Sequence, residues 1–152
     1  MGKIQKYAEA SKLLDIRIQY GEEFFKFNLF EELLITEARM DSELKTQASS
    51  FAFIAMLHKK LIRVVDDKKM EMDKTYYTKY LEGKELTQES SGRPFTDDQA
   101  KAYASSHKEY IKAIQAYNDA KEKAGVISVC VDSFEQRKDL LQTLSANLRK
   151  DH

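Results

Sequence analysis

The sequence predicts an all-α protein, and three observations favour this class. The 152 residues include only five glycines and one proline, and such scarcity suits long helices because proline costs about 3 kcal/mol inside a helix. Apolar residues recur in steps of three and four over long segments, as on one face of a helix. Two stretches resemble the capping boxes that begin helices. We expect an elongated antiparallel hairpin of two long helices with an N-terminal helical element.

The N-terminal helical element is predicted over residues 1–41. One helix is expected over residues 3–20, where apolar residues recur at roughly helical spacing, and Gly21 marks its end. A second helix is expected over residues 22–40. Its apolar residues lie on more than one side, so other elements must cover it.

The long-helix hairpin is predicted over residues 42–152. Its first helix spans residues 42–82, which contain neither glycine nor proline and carry a heptad-like apolar seam. Turn and breaker residues then predict a loop over residues 83–95, in which the chain reverses.

Two capping boxes predict how the chain leaves this loop. The segment from Thr96 to Gln99 fits one box, and the segment from Ser106 to Glu109 fits another. We therefore expect a short helix ending near residue 105 and a long helix over residues 107–148. This last helix carries its own heptad-like seam and can lie antiparallel to the first long helix.

The length of the two long helices predicts self-association. Forty helical residues measure about 60 Å, whereas a compact domain of this chain length measures roughly 40 Å across. A hairpin of that length leaves apolar surface that two helices cannot cover. The N-terminal element or a second copy of the chain must therefore cover it, and we expect a homo-oligomer.

Several classes of protein receive no support from the sequence. Cys130 is the single cysteine, and the N-terminus lacks the basic and apolar segments of a secretory signal, so the cytoplasm is the expected compartment. The longest uncharged runs, such as residues 46–57, are shorter than the ~20 residues that cross a bilayer. We expect no membrane association.

No catalytic, metal or cofactor site is predicted either. His58 lies in the seam of the central helix without a cysteine or carboxylate at metal-binding spacing. Cys130 lies in an apolar run, where an unreactive buried thiol is the expected state. Glycine-rich phosphate loops and nucleophile motifs are missing from the sequence. We expect a protein that is not an enzyme and holds no cofactor.

The charge is zero overall but unevenly distributed. Residues 1–45 hold seven basic against nine acidic side chains, whereas residues 57–84 hold eight against five. Residues 137–150 are also basic. Tyrosines and lysines alternate near residue 77, and this combination offers stacking faces and phosphate contacts to a single strand, although one-turn packing of the tyrosines explains them too.

Several segments resemble the UvsY-type recombination mediators of tailed phages. A lysine-bearing helix ends in an aromatic cluster and glycine at residues 74–83, and an acidic helix start follows at residues 96–98. A short helix, a break and a long helix containing residues 110–117 come next. An arginine-bearing stretch and a leucine-rich tail close the match over residues 134–149. The resemblance covers about two-thirds of the chain, and residues 22–43 have no counterpart in it.

This resemblance implies a DNA-binding accessory factor that forms a ring-like oligomer. Such a protein binds single-stranded DNA and helps a recombinase to displace single-strand binding protein. A phage protein of this kind would act in the host cell cytoplasm. The residues expected to contact phosphates are Lys59, Lys60, Arg63, Lys68, Lys74, Lys79, Arg137, Lys138, Arg149 and Lys150, and those expected to stack on bases are Tyr76, Tyr77 and Tyr80.

A second hypothesis belongs to a different class, that of a small helical interaction or inhibitor protein. It places an apolar contact surface on an acidic N-terminal background, and this surface would occupy a groove on another protein. The residues proposed for this surface are Phe24, Phe25, Phe27 and Phe30.

Overall fold

A computed structural model describes residues 14–36 and 40–150 of the chain. In chain order, the elements are β1 (Asp15–Tyr20), β2 (Glu23–Asn28), α1 (Leu29–Leu33), α2 (Met40–Lys84), α3 (Asp97–Ser106) and α4 (Lys108–Lys150). The predicted predominance of long helices is confirmed. The all-α class is corrected, because the chain also contains a two-stranded sheet.

The chain divides into two compact units, and α2 and α4 contribute to both. The first unit combines Met1–Lys59 with Gly125–His152, and the second is Lys60–Ala124. Each unit has its own buried residues, and the two are described separately below.

The sheet of the first unit lies where the sequence predicted helices. Strands β1 and β2 pair antiparallel, with Ile16 opposite Phe27 and Ile18 opposite Phe25. Gly21 has a φ of 62°, which suits the first position of the two-residue turns that join such strands. The helices predicted over residues 3–20 and 22–40 are therefore wrong within residues 15–28. Their parts over residues 3–13 and 37–39 lie outside the described residues.

Alternation along β1 explains why a hairpin forms here. Ile16 and Ile18 are buried while Asp15, Arg17 and Gln19 are exposed, which is the period of two expected of a strand with one covered face. The helical interpretation failed because aromatic and branched residues at short spacing satisfy both periods over six residues.

The core of the first unit forms where α2 and α4 run antiparallel. Ile54 and Leu57 of α2 are buried, as are Ile127 and Leu141 of α4. The Gln47 amide donates to the backbone carbonyl of Phe134 at 2.9 Å. Other buried apolar residues of this unit are Leu29, Met40, Cys130 and Phe134.

The second unit packs α3 against the end of α2. Ala100 and Ala104 of α3 are completely buried, and a Cβ added at Gly83 would meet the Cα of Ala100 at 3.1 Å. Small residues on both helices therefore permit this close approach. The loop before α3 is closed by a bridge between Thr87 and Pro94, in the region where the sequence predicted a loop.

The two predicted capping boxes have different outcomes. The first is confirmed, since the Thr96 side chain accepts from the Gln99 amide and the Gln99 side chain accepts from the Thr96 amide. The second is wrong. The Ser106 hydroxyl donates to the Ala102 carbonyl at 2.8 Å, and His107 caps α4 instead, because its Nδ1 accepts from the Glu109 amide at 3.2 Å.

Candidate nucleic-acid interface

One face of α2 in the second unit combines exposed basic and apolar side chains. Residues three and four apart lie on the same side of a helix, and this spacing joins the exposed residues Arg63, Asp67, Met70, Lys74, Tyr77, Leu81 and Lys84. We call these seven residues the α2 outer face. The opposite side of α2 carries the buried Leu61, Lys79 and Gly83. The helix itself therefore separates the outer face from the core of the unit.

Tyr77 is the one aromatic residue among the seven of the α2 outer face. Its side chain is 66% exposed, and its ring meets the edge of Tyr76 at 5.9 Å. Tyr76 is half-buried and packs against Tyr110 of α4, with ring centroids 5.3 Å apart. Tyr76 thus serves the packing of the unit, whereas the ring of Tyr77 remains open to stacking.

Tyr80 does not share the accessibility of Tyr77. Its hydroxyl donates to the carboxylate of Asp97, and this hydrogen bond raises the pKa of Tyr80 above its usual value. Lys101 lies 2.8 Å from the other carboxylate oxygen. The hydrogen bonds from Lys101 and then from Tyr80 lower the pKa of Asp97. Tyr80 therefore ties α2 to the start of α3.

Lys79 is also poorly placed to bind a phosphate, because it is already paired with carboxylates. It is buried and lies 3.0 Å from Glu82 and 3.2 Å from Glu109. The hydrogen bond to Glu82 is the main reason why the pKa of Lys79 is raised. A lysine held between two carboxylates has its charge satisfied by these neighbours rather than by a ligand. We therefore leave Lys79 out of the candidate interface.

The remaining basic residues of the second unit differ in position. Arg63 and Lys74 lie on the α2 outer face and are exposed, as is Lys60 near its edge. Lys68 lies on another side of the helix and is paired with Glu71 at 3.0 Å. Lys84 belongs to the outer face, 3.9 Å from Asp97.

The outer face is only moderately basic. Arg63, Lys74 and Lys84 are balanced in part by Asp67 within the face, and Asp73 lies at its border. A charge excess this small produces weak, salt-sensitive attraction to a phosphate backbone. Any useful affinity must therefore also come from base stacking or from several copies acting together.

The first unit holds the other predicted phosphate contacts. Lys59, Arg149 and Lys150 are exposed, while Lys138 lies 3.6 Å from Asp139. Arg137 is buried and contacts Glu43, so we also exclude it from the candidate interface. None of these five belongs to the outer face, which lies wholly within the second unit.

The four phenylalanines proposed for a protein partner differ in accessibility, and three of them lie on β2 while Phe30 lies on α1. Phe24 is 62% exposed, and Phe30 is also exposed. Phe25 and Phe27 line a cavity of about 440 Å³ whose wall also includes Phe134. A partner surface at this place would consequently use Phe24 and Phe30.

The other candidates for chemistry have ordinary surroundings. Cys130 is fully buried, as predicted, and burial raises the pKa of its thiol. Within residues 14–36 and 40–150, no group of three or more histidine, cysteine or acidic side chains could hold a metal ion. No helix in this part of the chain is long and apolar enough to cross a bilayer.

The predicted contacts left out four of the seven members of the outer face, one of which is the acidic Asp67. Met70, Leu81 and Lys84 were not proposed as contacts, although they continue the steps of three and four that contain Lys74 and Tyr77. The missed signal was a second heptad-like row on α2, displaced from the buried row.

Comparisons with protein-family models, curated proteins and solved structures returned no match to this chain.

Proposed function

We propose that this protein binds single-stranded DNA through the α2 outer face and acts as an accessory factor that helps a recombinase displace single-strand binding protein. The observation that supports binding is the exposed ring of Tyr77 with a cation one turn away at Lys74. The role in recombinase loading rests on the resemblance of the sequence to UvsY-type mediators.

The composition of the outer face suits a single strand better than a duplex. Stacking on a tyrosine requires an unpaired base, and such stacking contributes about 1–3 kcal/mol per base without depending on sequence. Met70 and Leu81 extend the apolar surface on either side of the Tyr77 ring. Arg63 and Lys84 stand farther along the same row, where they can contact phosphates of the same strand.

Binding is tested by fluorescence anisotropy with a labelled thymidine oligonucleotide. We expect Tyr77→Ala to weaken binding by about 5- to 150-fold, the range that corresponds to the loss of one stacked base. We expect Lys74→Gln to lower the salt dependence of the binding constant by about 0.7 in logarithmic slope, the value for one phosphate contact on a single strand.

Lys68→Gln is the matched control for Lys74→Gln. Both residues are lysines of α2, but Lys68 lies off the outer face and is paired with Glu71. Equal losses in the two variants would show that α2 attracts DNA by overall charge and would refute the outer face as a site. Duplex DNA of the same length should bind less tightly than the single strand, and a duplex preference would contradict the stacking argument.

A second candidate function is the capture of a protein partner through the N-terminal hairpin. The exposure of Phe24, opposite Gln19 on the uncovered side of the sheet, is the observation that favours it. Changing Phe24 and Phe30 together to serine should abolish partner capture and leave DNA binding unchanged. Loss of DNA binding in this variant would instead assign the hairpin to the nucleic-acid interface.

A further inference from the structure

Helix α4 carries a largely exposed row of uncharged residues in the first unit. Steps of three and four join Val126, Val129, Ser133, Gln136, Leu140 and Leu144, and we call these six residues the α4 row. Val129 is 59% exposed and Leu140 is 58% exposed. Five of the six residues are exposed, and Ser133 is half-buried. One-third of the whole chain is charged, so a largely exposed row of six uncharged residues departs from the composition of the rest of the surface.

The charges of this segment lie beside the row. Between Val126 and Leu144 the charged residues are Asp132, Glu135, Arg137, Lys138 and Asp139, and none of them belongs to the row. Arg137 shares the heptad position of Leu144, but its side chain is buried. Residues 140–148 contain no charge at all. A row that avoids charge while its neighbours carry it is typical of a helix contact surface rather than of a solvated face.

The residue types along the α4 row are arranged symmetrically about its middle, so the row reads the same in either direction. Apolar residues occupy both ends, and the two uncharged polar residues occupy the middle. When two copies lie antiparallel about a two-fold axis near residue 135, Val126 faces Leu144, Val129 faces Leu140, and Ser133 faces Gln136. Apolar groups then meet apolar groups, and the hydroxyl and amide can hydrogen-bond to each other.

We propose that the α4 row is the contact surface of a two-fold, antiparallel pair formed with a second copy of this chain. An interface of this kind is isologous, since the same patch serves both partners. The row spans about 27 Å at 1.5 Å per residue. This inference stands apart from the proposed DNA binding, because the α2 outer face belongs to the second unit and shares no residue with the row.

The acidic border of the row predicts an unusual response to salt. Asp132 and Asp139 lie one turn on either side of Gln136, along the same edge. In the antiparallel pair Asp132 of one copy approaches Asp139 of the other, and these like charges repel until salt screens them. We expect pairing to strengthen as salt rises, whereas DNA binding weakens.

The test measures the mass of the full chain by sedimentation equilibrium. Wild type should reach twice the 17.6 kDa of one chain at about 100 μM, since small interfaces give weak association. The double variant Val129→Lys with Leu140→Lys should raise the dissociation constant by at least tenfold, with an unchanged far-ultraviolet circular dichroism spectrum. A monomeric wild type, or pairing that the double variant leaves intact, would overturn the proposal.

Ile111→Lys is the matched control for these substitutions. Ile111 is an exposed apolar residue of the same helix, but it is not a member of the α4 row and belongs to the second unit. Pairing should survive this change, and its loss would overturn the assignment to the α4 row.

Orientation is tested by cysteine cross-linking of two differently tagged chains, one with Val129→Cys and the other with Leu140→Cys. The antiparallel pair forms the mixed disulfide under mild oxidation. Disulfides that join only identical chains would overturn the antiparallel arrangement. The native Cys130 is fully buried and does not interfere.

Discussion

Replacing Arg137 by methionine should destabilise the first unit by several kilocalories per mole. Arg137 is 4% exposed, and its guanidinium donates to Glu43, Gln47 and the Leu33 carbonyl. It thus joins α4 to α2 and to the end of α1. Methionine fills much of the same volume but removes every one of these donors.

The size of the effect follows from what the substitution leaves behind. Removing one partner of a buried ion pair costs about 3–5 kcal/mol. The Glu43 side chain is 20% exposed, so water reaches part of the remaining carboxylate and the lower end, about 3 kcal/mol, applies. With an unfolding entropy of about 2.1 cal/mol/K per residue, this loss lowers the melting temperature of a 152-residue chain by about 10 °C.

Thermal unfolding followed by circular dichroism at pH 7 measures this difference. Lys138→Met is the control, because Lys138 is the neighbouring residue and its contact with Asp139 at 3.6 Å is exposed. Loss of this contact should cost less than about 1 kcal/mol. Adding Glu43→Leu to Arg137→Met should recover part of the lost stability, since no unpaired carboxylate remains. A melting temperature within 3 °C of wild type for Arg137→Met would refute this reasoning.

Three further predictions concern Gly83, Gly125 and Asp97. Gly83→Ala should destabilise the protein by about 1–3 kcal/mol, because the new Cβ meets the Cα of Ala100 at 3.1 Å. Gly125→Ala, where a Cβ has open space, should instead stabilise α4 by up to about 1 kcal/mol. Urea denaturation measures the free energy of unfolding of both variants, and the same change in the two would contradict this reasoning. The lowered pKa of Asp97, caused chiefly by Lys101, contributes stability that is present above the usual aspartate pKa and is lost as the pH falls through the lowered value. Asp97→Asn should therefore flatten the acid side of a plot of melting temperature against pH, and an unchanged acid side would argue against the pairing.

The helical part of the fold could be predicted because its signals are local and long. Residues 42–82 contain neither proline nor glycine, and their heptad-like repeats continue over many turns. A pattern of this length does not arise by chance in a short segment. The Thr96 capping box was predictable for the same reason, since its two hydrogen bonds join residues three apart. The Ser106 box failed because a serine hydroxyl near a helix end can also donate back to a carbonyl four residues earlier.

The local sequence pattern could not distinguish the β-hairpin of β1 and β2 from a pair of helices. Six-residue segments hold too few apolar positions to separate a period of two from one of 3.6. What decides between them is the covered face that Ile16 and Ile18 find in the folded unit, and this is a long-range effect.

For the candidate site, the sequence shows which residues are present, and the tertiary structure shows which of them are accessible. Sequence alone determined that lysines and tyrosines concentrate on the second half of α2, because composition and spacing are properties of the chain. Only the tertiary structure decided that Tyr77 and Lys74 face outward while Tyr76 and Lys79 meet α4. The physical reason is that neighbouring residues of a helix point about 100° apart, so their accessibility depends on which side the rest of the chain covers.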